Sequence, residues 1–222
     1  IKNPKQVITV KALRTRYPQG AEKVLIAECT GRIVPAGGLP ADVGVIVMNV
    51  TSVAKLRRYF KTGTPLIRKR ITVAGSAVEK PMNLRAWIGT PIKDVLEFVG
   101  IKKPIRKLLY GGPMMGVTVP DLSYPILKNT NAIVALAKDA ILPEPSECIC
   151  CGKCADACPL SLTPFAIASA VKHKDAEALS ELSVGLCMEC GCCSYTCPAH
   201  RPLVSSNRLG KSILKNTAKG GK

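Results

Sequence analysis

The sequence predicts an α/β plus α+β chain in three parts: a partial α/β domain, a unit of β-grasp order and an α-helical domain built around metal sites. Three observations carry this expectation. Residues 1–66 alternate strand-like and helix-like signals, which points to a piece of an α/β domain. Residues 67–140 read as two strands, a helix and further strands. Residues 141–204 hold two cysteine strings of identical spacing, separated by residues of helical pattern, and residues 205–222 form a basic tail.

In the first part, Val7 to Leu13 alternates β-branched and polar residues as a strand does, and Ala21 to Cys29 reads as a helix. Gly31 to Gly44 is a loop rich in Gly and Pro. Val45 to Val50 reads as a buried strand, after which Thr51 or Ser52 caps a helix running to Lys61 and ended by Gly63. Cys29 reads as a small buried apolar residue.

In the second part, Arg70 to Ala74 and Asn83 to Ile88 read as strands. Thr90-Pro91 opens a helix with a hydroxyl at the N-cap and Pro in the first turn. Ile92, Val95, Leu96 and Val99 then fall on one apolar stripe, and Gly100 supplies a C-terminal stop. Strands near Lys107 to Tyr110 and Ala132 to Ala137 complete the unit, and Pro143-Glu144-Pro145 marks a boundary. Gly111 to Gly116 lacks dinucleotide-fingerprint spacing and is expected to be a turn packed against the cysteine-rich domain.

The third part carries the chemistry. One string is Cys148-x2-Cys151-x2-Cys154-x3-Cys158-Pro159, the other Cys187-x2-Cys190-x2-Cys193-x3-Cys197-Pro198. This spacing, closed by Cys-Pro, holds cubane iron–sulfur clusters in bacterial ferredoxins, where the Cys before Pro ligates the other cluster. The expected sets are therefore Cys148, Cys151, Cys154 and Cys197 for one [4Fe–4S] centre, and Cys187, Cys190, Cys193 and Cys158 for a second. Such crossing would tie the two ends of the domain together. The alternative, a pair of four-cysteine zinc sites, expects separated C-x2-C pairs rather than a triple string. Cys150 and Cys192 sit off the ligand positions. Lys153, beside Cys154, is either a tuning charge or a solvated lysine. The 28 residues between Cys158 and Cys187 predict two helices, one from Thr163-Pro164 to about His173 and one capped by Asp175 and ending near Gly185. A helical spacer makes this an α-helical ferredoxin domain, and a protein that passes electrons.

Bulk properties exclude several classes. The chain has 222 residues, of which 47% are hydrophobic, so real cores are feasible and global disorder is not expected. Its longest apolar stretch, around Val43 to Val50, is far short of the roughly 20 residues of a membrane-spanning helix. Eleven cysteines are an odd count at metal-site spacing, which fits a reducing cytosol better than a secreted disulfide scaffold. The formal charge is +17, concentrated in Lys55 to Arg70 and in the acid-free tail from Arg201. Solvated faces account for such patches, as does docking of an acidic redox partner or a membrane surface. Nucleic-acid binding is not expected, because the basic runs carry no recognition motif and no interleaved aromatics. Ser, Asp and His form no triad pattern, so no catalytic residue is assigned. The chain opens at Ile1 inside a globular pattern, as the C-terminal part of a longer polypeptide would.

YPQGAEKVLI (Tyr17 to Ile26), TGRIVPAGGLPADVG (Thr30 to Gly44), VMNV (Val47 to Val50), IGTPIKDVL (Ile88 to Leu96) and YGGPMMG (Tyr110 to Gly116) are distinctive runs. Together with the double cysteine string, they closely resemble the C-terminal half of the C subunit of the Rnf (Rsx) electron transport complex. The resemblance implies a flavin- and NADH-binding domain related to the flavoprotein subunit of respiratory complex I, a soluble ligand-binding β-grasp domain, and a helical ferredoxin domain. It implies FMN and NAD(H) in the full-length protein and a glycine-rich flavin loop upstream of Ile1. Gly20 and Glu22 match the Gly-x-Glu run that lines the flavin and nicotinamide pocket in the complex I flavoprotein, and Asn49 matches an Asn that contacts flavin there. Read from the residues, Gly20 starts a helix and Asn49 ends a strand. The family exchanges electrons between ferredoxin and NAD and couples this to ion transport. Its C subunit lies peripherally on the cytoplasmic face of the membrane beside the other subunits, with ferredoxin an indirect redox partner. The alternative is a cobalamin reductase of a bacterial microcompartment, which has a similar architecture.

Overall fold

The computed structural model describes residues 8–220, with side chains to residue 217, and the chain divides between Met48 and Asn49 into two compact units. In the first, helix α1 (Glu22–Thr30) is one residue offset from its expected span and ends at Gly31, whose φ of 71° is the left-handed conformation that releases a helix. A 3-10 turn over Pro40–Val43 interrupts the Gly/Pro loop. No strand forms in this unit among the described residues. Residues 8–13 are not paired, Ile8 and Val10 are almost fully exposed, and Val7 lies outside the described residues. The buried strand expected at Val45 to Val50 is also absent: Ile46 is 83% exposed, and Val50 already begins a helix. β-branched composition makes a strand only where a neighbouring strand takes up the backbone hydrogen bonds, and no strand precedes Arg68 among the described residues.

The second unit begins with helix α2 (Val50–Thr62), ended by Gly63 as expected. Its cap is Asn49 rather than Thr51 or Ser52: the Asn49 carboxamide oxygen accepts the Thr51 N–H at 2.8 Å. Then come β1 (Arg68–Ala74), β2 (Met82–Trp87), α3 (Ile92–Val99), β3 (Lys107–Tyr110), β4 (Val117–Thr118) and β5 (Ala132–Leu136). They form one open sheet of order β2-β1-β5-β3-β4, with β1 and β5 parallel and the other neighbours antiparallel. Alternation along β1 puts Ile71 and Val73 inward and Arg70 and Thr72 outward. The stripe of α3 covers that inner face, with Ile92, Val95, Leu96 and Val99 all buried against Ile133, Leu108 and Ile126. Each such side chain contributes about 1.5–3 kcal/mol by leaving water. Pro91, not Thr90, stands at the N-cap, and the first helical N–H groups are satisfied by loop carbonyls: Ile92 donates to Tyr124 and Lys93 to Leu122. Gly100 has a positive φ, as expected, but with an extended ψ of 142°.

The remainder is helical: α4 (Lys153–Asp156), α5 (Pro164–His173), α6 (Ala176–Glu181), α7 (Cys192–Thr196) and α8 (Leu203–Gly220). Asp175 caps α6 through the Ala178 N–H at 3.0 Å. Residues 205–217, expected as a basic tail, instead belong to α8. Leu203, Val204, Asn207 and Gly210 are buried, and Ile213 and Leu214 pack against Ile167, Leu179 and Val184. An apolar stripe at helical spacing lies beneath the basic residues that dominate the composition. At Gly210 a Cβ would stand 3.1 Å from methyl carbons of Leu179 and Val171, so α8 approaches its neighbours closely.

Candidate metal centres

The two cysteine strings fold alike. Cys150 and Glu189 precede the second cysteine with φ of 53° and 58°, and Gly152 and Gly191 follow it with φ of 76° and 90°. Each left-handed residue turns the chain back, so that cysteines three apart face a common centre. A short helix follows in each string, α4 in the first and α7 in the second. Beyond the fourth cysteine, Ser161 and His200 are again left-handed and donate to the carbonyls of Cys158 and Cys197, both at 3.1 Å. Helices α5 and α8 then start at Pro164 and Leu203, so the duplication, legible only in the cysteines, extends through a following helix.

The fourth cysteine of each string lies with the other string. Cys148, Cys151 and Cys154 line a cavity of about 150 Å³ together with Cys197, Phe165 and Arg201. Cys187, Cys190 and Cys193 line a narrower one, about 20 Å³, together with Cys158. The Ser146 N–H, just ahead of the first string, donates to the Ala199 carbonyl at 3.0 Å, just past the end of the second. Burial pushes the Cys193 thiol up to about 12, reinforced by the charges of Cys187, Cys190 and Cys158. Burial likewise raises Cys154, with Cys197 adding to it. Thiols so crowded resist ionising unless a cation compensates their charge.

Among the described residues, no group of three or more His, Cys, Asp or Glu side chains stands close enough to hold a single metal ion. The donor set suits a thiolate-held cluster instead: soft sulfurs around each space (five cysteines line the first, the off-ligand Cys150 among them, and four the second), largely apolar walls, and, at the second, N–H groups aimed at sulfur. Leu162 N–H donates to Cys158 Sγ at 3.3 Å and Glu189 N–H to Cys187 Sγ at 3.4 Å. Asn207 Nδ2 donates to the same Cys187 sulfur at 3.3 Å. Such donors stabilise negative charge on sulfur.

The sites differ in cover. Cys148 and Cys151 are exposed at the first, whereas Cys190 and Cys193 are buried at the second. Glu189, between Cys187 and Cys190, is clamped to α8 by Arg208 at 2.7 Å and Lys211 at 2.8 Å. The Gly111 to Gly116 turn packs against the second string as expected: a Cβ on Gly191 would stand 2.5 Å from the Met114 carbonyl oxygen. Asn207, Glu189, Arg208 and Lys211 carry no motif spacing that would single them out in the sequence. The one available signal was a polar Asn207 on an otherwise apolar helix stripe. Of the off-ligand cysteines, Cys150 is exposed, and Cys192 is pushed up to about 11 by burial and a hydrogen bond with Cys190. Cys29 is exposed rather than buried, because it lies in the last turn of α1 on its solvent side. Lys153 is exposed.

The flavin candidates are divided between the two units. Gly20 and Glu22 are exposed at the start of α1 in the first. Asn49, in the second, spends its side-chain oxygen on capping α2 and lines a polar cavity of about 340 Å³ with Lys55, Lys69, Arg70 and Lys128.

Residues 1–58 match the Nuo51 FMN-binding domain family, and residues 70–118 match the SLBB domain family. The C subunit of the ion-translocating oxidoreductase complex of Pseudomonas aeruginosa is 49% identical over 160 residues, covering 70% of this chain and 20% of the relative. The C subunit of the Na(+)-translocating ferredoxin:NAD(+) oxidoreductase complex of Acetobacterium woodii is 45% identical over 163 residues, covering 72% and 37%. The C subunit of the ion-translocating oxidoreductase complex of Rhodobacter capsulatus is 40% identical over 209 residues, covering 92% and 40%. The chain thus spans less than half the length of these relatives. With this similarity across both its sheet-bearing and cysteine-bearing regions, the chain belongs to the family formed by the C subunits of ion-translocating oxidoreductase complexes.

Proposed function

We propose that this chain relays electrons within an ion-translocating ferredoxin:NAD oxidoreductase, holding one [4Fe–4S] cluster on Cys148, Cys151, Cys154 and Cys197 and a second on Cys187, Cys190, Cys193 and Cys158. The observation that carries the reading is the exchange of the fourth cysteine between strings, which puts Cys197 with the first string, where Cys150 also lines the cavity, and Cys158 with the second. Bound clusters would supply one-electron transfer. The chain's own residues would hold them by sulfur, direct N–H groups at that sulfur and keep water from the second site. The exposed rim at Cys148, Ile149 and Cys151 would leave the first site open to a partner.

The reading divides the chain as flavin-domain segment 1–66, β-grasp domain 67–140 and helical ferredoxin domain from 141, expected to end at 204 but continued by α8 into the basic segment beyond. Match to an FMN-binding domain family supports FMN in the whole protein; the reading adds NAD(H) there, with Gly20, Glu22 and Asn49 as contacts. Relatives named as members of multi-subunit complexes support other subunits as partners, with ferredoxin as an indirect one. No helix among the described residues is long and apolar enough to cross a membrane, which is compatible with peripheral attachment at the cytoplasmic face. The cobalamin reductase alternative draws no support from these relatives. Iron and sulfide analysis of anaerobically prepared protein tests the reading. About eight of each per chain is the expected content for two cubanes; zinc without iron or sulfide refutes it.

A further inference from the structure

We propose that Asn207 is a tuning residue that raises the reduction potential of the second cluster alone. This rests on the reading that the cysteines hold clusters. Asn207 is 1% exposed and, with Thr130, is one of two buried polar residues among those described. Its Nδ2 donates to Cys187 Sγ at 3.3 Å, while its Oδ1 is buried with no partner. A leucine of similar volume would avoid that orphaned oxygen, so packing alone does not account for an amide here. The one thing the amide does that leucine cannot is present N–H to sulfur.

The duplication supplies an internal comparison. Cys187 lies 39 residues after Cys148, and the same shift places Asn207 opposite Ala168 of α5. Ala168 is buried as well, on the corresponding helix, but has no donor. The two strings share spacing, turns and following helices and differ at this helix position by one side-chain donor. A hydrogen bond to sulfur favours the more negatively charged, reduced form of a cluster and so raises its potential. Burial of Cys190 and Cys193 excludes water from the second site, and in such surroundings a fixed dipole acts most strongly.

The experiment is an EPR-monitored redox titration of the reconstituted full chain, comparing wild type with Asn207→Leu, the first cluster serving as reference within each sample. At a fixed potential, Asn207→Leu is expected to shift the second cluster about tenfold toward its oxidised form, equivalent to about 59 mV for a one-electron couple, with the first unchanged. Should Asn207→Leu fail to load, Asn207→Met decides: uncharged, flexible enough to fill the space and lacking the N–H donor, it must shift the second midpoint negative and spare the first. Ala168→Asn should raise the first midpoint. A second midpoint that stays put in a loaded donor-free variant, or equal shifts of both clusters, overturns the proposal. Failure of the underlying reading shows separately, as wild-type protein without iron and sulfide.

Discussion

Substituting alanine at Gly191 and at Gly152 separates backbone strain from packing between the sheet domain and the second cysteine string. The two glycines occupy equivalent places in the strings and similar conformations, with φ of 90° and 76°. Any residue with a Cβ in this left-handed region costs about 1–2 kcal/mol, which both variants incur. Only Gly191 faces another chain segment. A Cβ there would lie 2.5 Å from the Met114 carbonyl oxygen, 3.2 Å from its carbonyl carbon and 3.4 Å from its Cα, whereas nothing lies within 4 Å at Gly152. Ordinary contact begins near 3.4 Å, so the Met114 backbone would have to retreat by about 0.9 Å. That backbone cannot rotate away as a side-chain tip would, since it is held in a tight turn in which Gly116 N–H donates to the Gly112 carbonyl at 2.7 Å. Overpacking of this kind costs about 1–3 kcal/mol. Gly191→Ala should therefore destabilise the protein by about 2–5 kcal/mol and Gly152→Ala by about 1–2 kcal/mol. Anaerobic denaturant unfolding of the loaded protein, read by far-UV circular dichroism, measures both. Cluster loss is common to the two variants, so their difference isolates the Met114 contact. Equal shifts in midpoint would refute the packing contribution.

Cys197→Ser should damage the centre built on Cys148, Cys151 and Cys154, and Cys158→Ser the other; EPR showing each change confined to its own string would refute crossed ligation. Chelating the iron anaerobically should collapse the helices after residue 146 while the sheet core survives, because under the proposed crossed ligation the clusters would fasten both ends of that region. Hydrogen exchange resolved by segment checks this, and full helical protection in iron-free protein would contradict it. Gly75→Ala should disrupt the sheet itself. Gly75 has a φ of 126°, and a Cβ there would stand 2.0 Å from the Ala135 carbonyl oxygen in β5, so a loss of about 3 kcal/mol or more is expected. Calorimetry of the variant reads it, and an unchanged transition would mean that β1 can leave the sheet by another path.

Legibility in the sequence followed how local the cause was. The stripe Ile92, Val95, Leu96, Val99 determined both the helix and its buried face, since helical periodicity is a property of neighbouring residues. Asp175 and Gly63 acted at the helix ends where their chemistry places them. Val45 to Val50 has strand composition without forming a strand, because composition carries no information about a pairing partner. Asn49 stands at a helix start rather than a strand end because the chain turns helical one residue later, which makes its carboxamide a cap. Helix α8 was hidden by its charge: six lysines and arginines from Arg201 onward, with no acid among them, obscure the stripe of Leu203, Val204, Gly210, Ile213 and Leu214.

By itself the sequence determined which chemistry is available, eight thiols at ferredoxin spacing, because ligand identity and turn-forming intervals are encoded residue by residue. Tertiary structure alone decided what makes the two sites unequal: Asn207 against Cys187, Met114 against Gly191, and exposure of Cys148 and Cys151 beside the burial of Cys190 and Cys193. Those contacts join residues distant in the chain. Burial and approach across such distances follow from how helices and sheet pack, which no local spacing records.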